Sequence, residues 1–180
     1  MFSLPPIPAW NAIHPLIVHL PIGALFLAPV FLVLAMLWAR HGRLMLLAAA
    51  ILVALGSGGA VLAVMSGEAG ESSAKAVPAA HAVFERHEEL AETARNMSLA
   101  AAGVLAILTA VAWRRFDKRS TALRLGVGLG VLGGYSLVML SFASAAHEGG
   151  RLVHEFGVRA PIQGAPAGAI APSKVQRDDD

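Results

Sequence analysis

The chain contains no cysteine. That excludes structural disulfides, iron–sulfur clusters, thiolate zinc sites and the C-x-x-C-H attachment of c-type haem. Any metal or haem must be held by His, Met or carboxylate. Charge is also scarce. Asp, Glu, Lys and Arg make up 14% of 180 residues, where a soluble domain carries about a quarter. The net charge of +2 comes without a dense basic patch interleaved with aromatics, so no nucleic-acid partner is expected. Met1–Ile13 has neither Lys nor Arg. It lacks the positive n-region of a secretory signal, and the apolar stretch that follows is too long for one, so the first helix is expected to be retained. There is no nucleophile–base arrangement, Gly-rich phosphate loop or inverted repeat. An electron-transfer protein or subunit is therefore expected before a stand-alone enzyme.

What the chain has instead is long apolar runs, several near or above the ~18–20 residues that cross a bilayer as a helix. Open strand edges cannot be satisfied in lipid, so the fold class is all-α, an integral membrane four-helix bundle. The first span runs from His14 or Pro15 to Trp38, with Pro21 and Pro29 expected to kink it, and Trp10 before it as an interface anchor. The second runs from Leu44 to Met65. The third begins near Pro78 with charged turns (Glu85, Arg86, Glu88, Glu89, Glu92, Arg95) and becomes apolar from Met97 to Trp113, so it extends beyond the membrane. The fourth runs from Thr121 to Ala146. Glu148-Gly149-Gly150 reads as its stop, with Arg151–Arg159 folding back. Residues 1–160 form the transmembrane domain. The Pro/Ala/Gly-rich tail 161–180 is expected to be disordered.

Basic residues gather in two short loops, Arg40 and Arg43 in one, Arg114, Arg115, Lys118, Arg119 and Arg124 in the other. The positive-inside rule then places both termini outside, N-out and C-out, in a bacterial inner membrane.

Six of the seven histidines fall at the end opposite those loops: His14, His19, His81, His87, His147 and His154. At 1.5 Å per helical residue, His14 and His147 lie ~36 Å from the inner edge, His87 ~39 Å and His19 ~28 Å. Three helices thus bring imidazoles to nearly one level. Intramembrane ionisable groups usually have a role, whereas a single such histidine is about as often a helix-end polar residue. His41, alone in a basic loop, reads as the latter. Neutral imidazoles on facing helices suit bis-histidine b-type haem, one or two per chain. Glu68, Glu71, Glu148 or Glu155 could orient the second ring nitrogen, and Arg86, Arg95 or Arg151 could pair with propionates. Copper or zinc held by His14, His19, His87 and His147 is the alternative. The i, i+4 pair of a one-helix zinc clip is missing, and His14/His19 and His81/His87 diverge around their helices. A cofactor-free structural subunit is a third reading. Met65, Met97 and Met139 read as packing filler. Gly126, Gly130 and Gly134 share one face of the fourth span, as Gly56 and Ala60 do on the second, which reads as close helix packing.

Two stretches carry a resemblance. One is His14-Pro15-Leu16-Ile17-Val18-His19-Leu20-Pro21-Ile22-Gly23-Ala24. The other is His147-Glu148-Gly149-Gly150-Arg151-Leu152-Val153-His154-Glu155-Phe156. Together they resemble the "domain of unknown function 2231" family of bacterial four-helix membrane proteins, over roughly residues 10–160. The resemblance implies four spans and makes His14, His19 and His147 family features. His154 and Phe156 depart from its pattern, which commonly has Tyr at the first of these positions. The layout is also similar to small di-haem b-type cytochromes. The expected function is a b-type cytochrome-like membrane protein, passing electrons between the quinone pool and an extracytoplasmic partner as one subunit of a larger redox system.

Overall fold

Two prolines shape the first span of the computed structural model, which describes residues 7–115 and 121–159, with only the backbone of Arg115. Pro21 has no N–H, and its ring crowds the carbonyl of Ile17 four residues earlier. The helix divides there, into α1 (His14–Ile17) and α2 (His19–Leu37), either side of Val18. Pro29 lies inside α2 and leaves the Leu25 carbonyl without its helical donor. That vacancy is filled from another span: the Tyr135 hydroxyl donates to Leu25 O at 2.9 Å. A proline in an apolar helix is tolerated when a neighbour re-satisfies the freed group in this way.

The remaining helices are α3 (Gly42–Ala69), α4 (Glu71–Lys75), α5 (His81–Arg115) and α6 (Thr121–His154). Single 3-10 turns at Trp10–Ala12 and Pro78–Ala80 lead into α1 and α5. Among the described residues, four stretches are long and apolar enough to cross a membrane: His14–Leu37, Gly42–Ala69, Pro78–Arg114 and Thr121–His154. They run up, down, up and down. α2 packs on α3, α3 on α5, α5 on α6, and α6 closes thinly back onto α2. The core between them is Leu25, Ala28, Leu32, Ala49, Val53, Leu105, Tyr135 and Val138. Exposed Leu, Ile, Val and Phe on the outer faces (Phe26, Ile51, Ile107, Leu129, Leu140) are what a lipid-facing surface requires. The charged first turns of α5 are solvated by local pairs, Arg86 with Glu89 at 2.6 Å and Arg95 with Glu92 at 3.3 Å.

Two expectations change. α6 does not stop at Gly149-Gly150 but continues to His154; Gly149 is instead a contact residue, as shown below. The chain turns later, at Gly157, which has φ +66°. The Gly126/Gly130/Gly134 row does not mediate packing within the chain: a Cβ at any of them would meet nothing within 4 Å. The close approaches use other glycines. Added Cβ atoms at Gly56, Gly59 and Gly128 would run into Leu25, Pro21 and Met36 respectively. The expected disorder of residues 161–180, and the loop residues Lys118 and Arg119, lie outside the described residues.

A two-histidine cavity at one end of the bundle

His14 opens α1, with Pro15 in the first turn where a missing N–H costs nothing. His87 lies in the second turn of α5. The two rings face a common cavity of about 420 Å³ at the end of the bundle opposite the basic loops. Their centroids are 6.4 Å apart and their planes are perpendicular, at 90°. Both side chains are partly buried.

Each ring is oriented by a different helix. His14 Nδ1 lies 2.8 Å from the Ala63 carbonyl oxygen on α3, with Ser66 Oγ at 3.2 Å. His87 Nδ1 lies 2.8 Å from the Ala145 carbonyl oxygen on α6. A carbonyl only accepts, so Nδ1 carries the proton in both rings. In the neutral imidazole this leaves the lone pair on Nε2, the nitrogen available to a metal. No described side chain or backbone group bonds either Nε2.

The same notch is built twice. Gly67 stands one helical turn after Ala63, and Gly149 one turn after Ala145. The turn spacing aligns the accepting carbonyl with a bare glycine surface on one helix face. A Cβ at position 67 would lie 3.3 Å from His14 Cε1, and one at 149 would lie 2.9 Å from His87 Cε1. Each imidazole therefore brings its Cε1–Nδ1 edge close to a glycine while Nδ1 donates to the carbonyl four residues before it.

The other four histidines do not join this pair. His19, His81, His147 and His154 are exposed, and none lines the cavity. At about 100° per residue, His147 is turned about 200° from Ala145, onto the opposite face of α6. His19 is turned about 140° from His14, and His81 about 120° from His87. His81 instead approaches Glu85, with Nδ1 3.5 Å from Oε1. His147 faces a shallow surface pocket with Arg86 and Glu148. Among the described residues, no group of three or more His, Cys, Asp or Glu converges as a metal cage. His41 packs edge-on against Trp38 at 4.6 Å, at the far end.

The expected helpers are also placed elsewhere. Backbone carbonyls, and not Glu68, Glu71, Glu148 or Glu155, hold the second ring nitrogens. Arg151 is engaged by Glu148 at 2.9 Å and Glu155 at 3.1 Å. Met97 and Met139 pack against the core, and Met65 faces outward. Sequence reasoning missed Ala63, Gly67, Ala145, Gly149 and Ser66. The signal that could have found them is the Ala-x-x-x-Gly spacing, which recurs at the histidine end of the second and fourth spans. A second cavity, about 110 Å³, lies at the basic end between Leu32, Leu46, Leu108 and Val131. It holds Arg124 but no histidine, and carries none of this chemistry.

Fold and site together define an all-helical, multi-pass membrane bundle with two lone-pair imidazoles in one terminal cavity. The family model described as a predicted membrane protein (DUF2231) matches residues 11–161, and the chain belongs to that family. No curated protein and no solved structure matches it.

Proposed function

We propose that the chain binds one b-type haem between His14 and His87 and serves as a membrane electron-transfer protein. The observation that carries this reading is the geometry of the two rings. An imidazole nitrogen lies about 1.1 Å from its ring centroid. Two bonds of about 2.0 Å on opposite sides of one metal therefore separate the centroids by about 6.2 Å. The separation here is 6.4 Å. Both Nδ1 protons are engaged by carbonyls, the outer contact that fixes a ligating imidazole's tautomer and direction. The cavity walls are otherwise mostly apolar (Val18, Ile22, Val64, Phe84, Phe142, Leu152), which suits a flat hydrophobic macrocycle.

Haem supplies one-electron redox chemistry when bound. The residues' part is to ligate, to orient the ligands and to keep water off the ring faces. His14 and His87 would be the two protein ligands that the haem iron takes beyond the macrocycle's own nitrogens. Zinc needs four ligands of its own, commonly all from the protein in a structural site, and the two imidazoles fall short of that. The zinc reading is the weaker one for this reason, and copper is separated from haem by the metal analysis below. Electron exchange with the quinone pool and with an extracytoplasmic partner subunit, in a bacterial inner membrane, belongs to the same proposal. Its support is a two-imidazole cavity at one end of the bundle, with Arg40, Arg43 and Arg114 at the other.

The test is a reduced-minus-oxidised spectrum of protein purified from haem-replete cells, with metal analysis alongside. A Soret and α-band difference is expected in the wild type, lost in His14→Ala and His87→Ala. No band difference in the wild type, with stoichiometric copper or zinc, would transfer the site to the metal reading. No chromophore and no metal would leave a structural subunit.

A further inference from the structure

A haem carries two carboxylates, and an apolar cavity must place them beside a cation or in water. Among the described residues lining the cavity, Arg159 is the one Asp, Glu, Lys or Arg. The other arginines at this end are engaged locally: Arg86 with Glu89, Arg95 with Glu92, and Arg151 with Glu148 and Glu155. No carboxylate among the described residues pairs with Arg159.

Its placement is built into the fold. After α6 ends at His154, the amide of Val158 donates back to Leu152 O at 2.9 Å, and Gly157 takes the left-handed conformation that this turn needs. Phe156 and Val158 then pack on a small apolar cluster of Ala80, Val83 and Leu152. That packing returns the chain over the cavity and sets Val158 and Arg159 in its wall. Across the same cavity, Asn11 and Ser73 add polar groups on the segments flanking α1 and within α4.

We infer that Arg159 anchors the carboxylates of the bound ligand, so that the cavity selects an anionic flat amphiphile whose acidic edge faces the C-terminal turn. This rests on the haem reading. A guanidinium matches a carboxylate in a two-bond fork, stronger than a neutral hydrogen bond. It also places a positive charge beside the redox centre, and local net charge is one of the terms that set a haem's potential.

The experiment uses the full-length chain in detergent and two probes, haem b and its dimethyl ester, in which both carboxylates are blocked. Wild type is expected to hold haem b about ten-fold or more tighter than the ester. Arg159→Gln is expected to bind the two about equally and to show a lower midpoint potential with haem b, because removing a cation disfavours reduction. Arg159→Lys should recover part of the preference, and Arg86→Gln should leave both readouts unchanged. If Arg159→Gln retains the wild-type preference and potential, the anchor is refuted while the ligand pair stands. If wild type binds neither probe, the haem reading falls and the anchor with it.

Discussion

Gly149 lies so close to His87 that a single added carbon would stand 2.9 Å from the ring's Cε1. That distance is shorter than carbon atoms tolerate, and the ring is also tied to Ala145 O, so it cannot slide freely. Gly149→Ala must therefore displace the imidazole. We expect this variant to fold but to lose bound haem several-fold or to show an altered low-spin signature, read by optical and paramagnetic resonance spectroscopy. Gly134→Ala is the control. Its Cβ meets nothing, and replacing a mid-helix glycine should stabilise by about 0.5–1 kcal/mol without touching the spectrum. Equal spectra for both variants would remove Gly149 from the site.

Tyr135→Phe should cost about 1–3 kcal/mol, since it strands the Leu25 carbonyl in the core with no water to replace the hydroxyl. The cause is specific and can be isolated. Pro29→Ala restores an N–H that can serve Leu25 O, so the Tyr135→Phe penalty should shrink in that background. Thermal unfolding of the two single variants and the double variant closes the cycle. Additive losses would mean that the hydroxyl is not answering the proline.

Gly128 is in close contact with Met36 at the opposite end of the bundle. Gly128→Ala is expected to destabilise by about 1–3 kcal/mol through overpacking, and Met36→Ala to relieve part of that loss. Because this contact is remote from the histidines, spectra of the surviving folded protein should be unchanged. A loss of haem in Gly128→Ala as large as in Gly149→Ala would show that stability, and not ring placement, governs binding.

The four exposed histidines provide a prediction from geometry alone. Gln replacements at His19, His81, His147 and His154, made together, should leave the chromophore intact, whereas His14→Gln alone should abolish the six-coordinate spectrum. Retention of that spectrum in His14→Gln would require another ligand and would contradict the pairing with His87.

The four spans, their order and the apolar-to-polar change within the third were legible in hydropathy, because length and composition decide whether a helix can lie in lipid. The level of the histidines was legible too, since rise per residue is constant. Azimuth separated them. His14 and His19 share a motif, yet the turn between them sends one ring inward and one out. The spacing already said they diverge, but not which would face the cavity. Gly149-Gly150 misled for a related reason: a glycine that ends a helix and one that admits a neighbour's ring look alike until the neighbour is known. The contacts across 49 and 58 residues, His14 to Ala63 and His87 to Ala145, leave only the faint Ala-x-x-x-Gly trace.

The recurrence of that trace has a consequence for how the site is assembled. Spans one and two make a complete unit: an imidazole on the first, a receptor for it on the second. Spans three and four repeat the unit with the same polarity along the membrane normal. Each half of the polypeptide thus presents a single preset donor atom. On the haem reading, six-coordination would arise only when the two halves meet face to face. A chain cut between α3 and α5 and co-expressed as fragments should regain its colour on reassociation, while neither piece alone could supply both axial bonds.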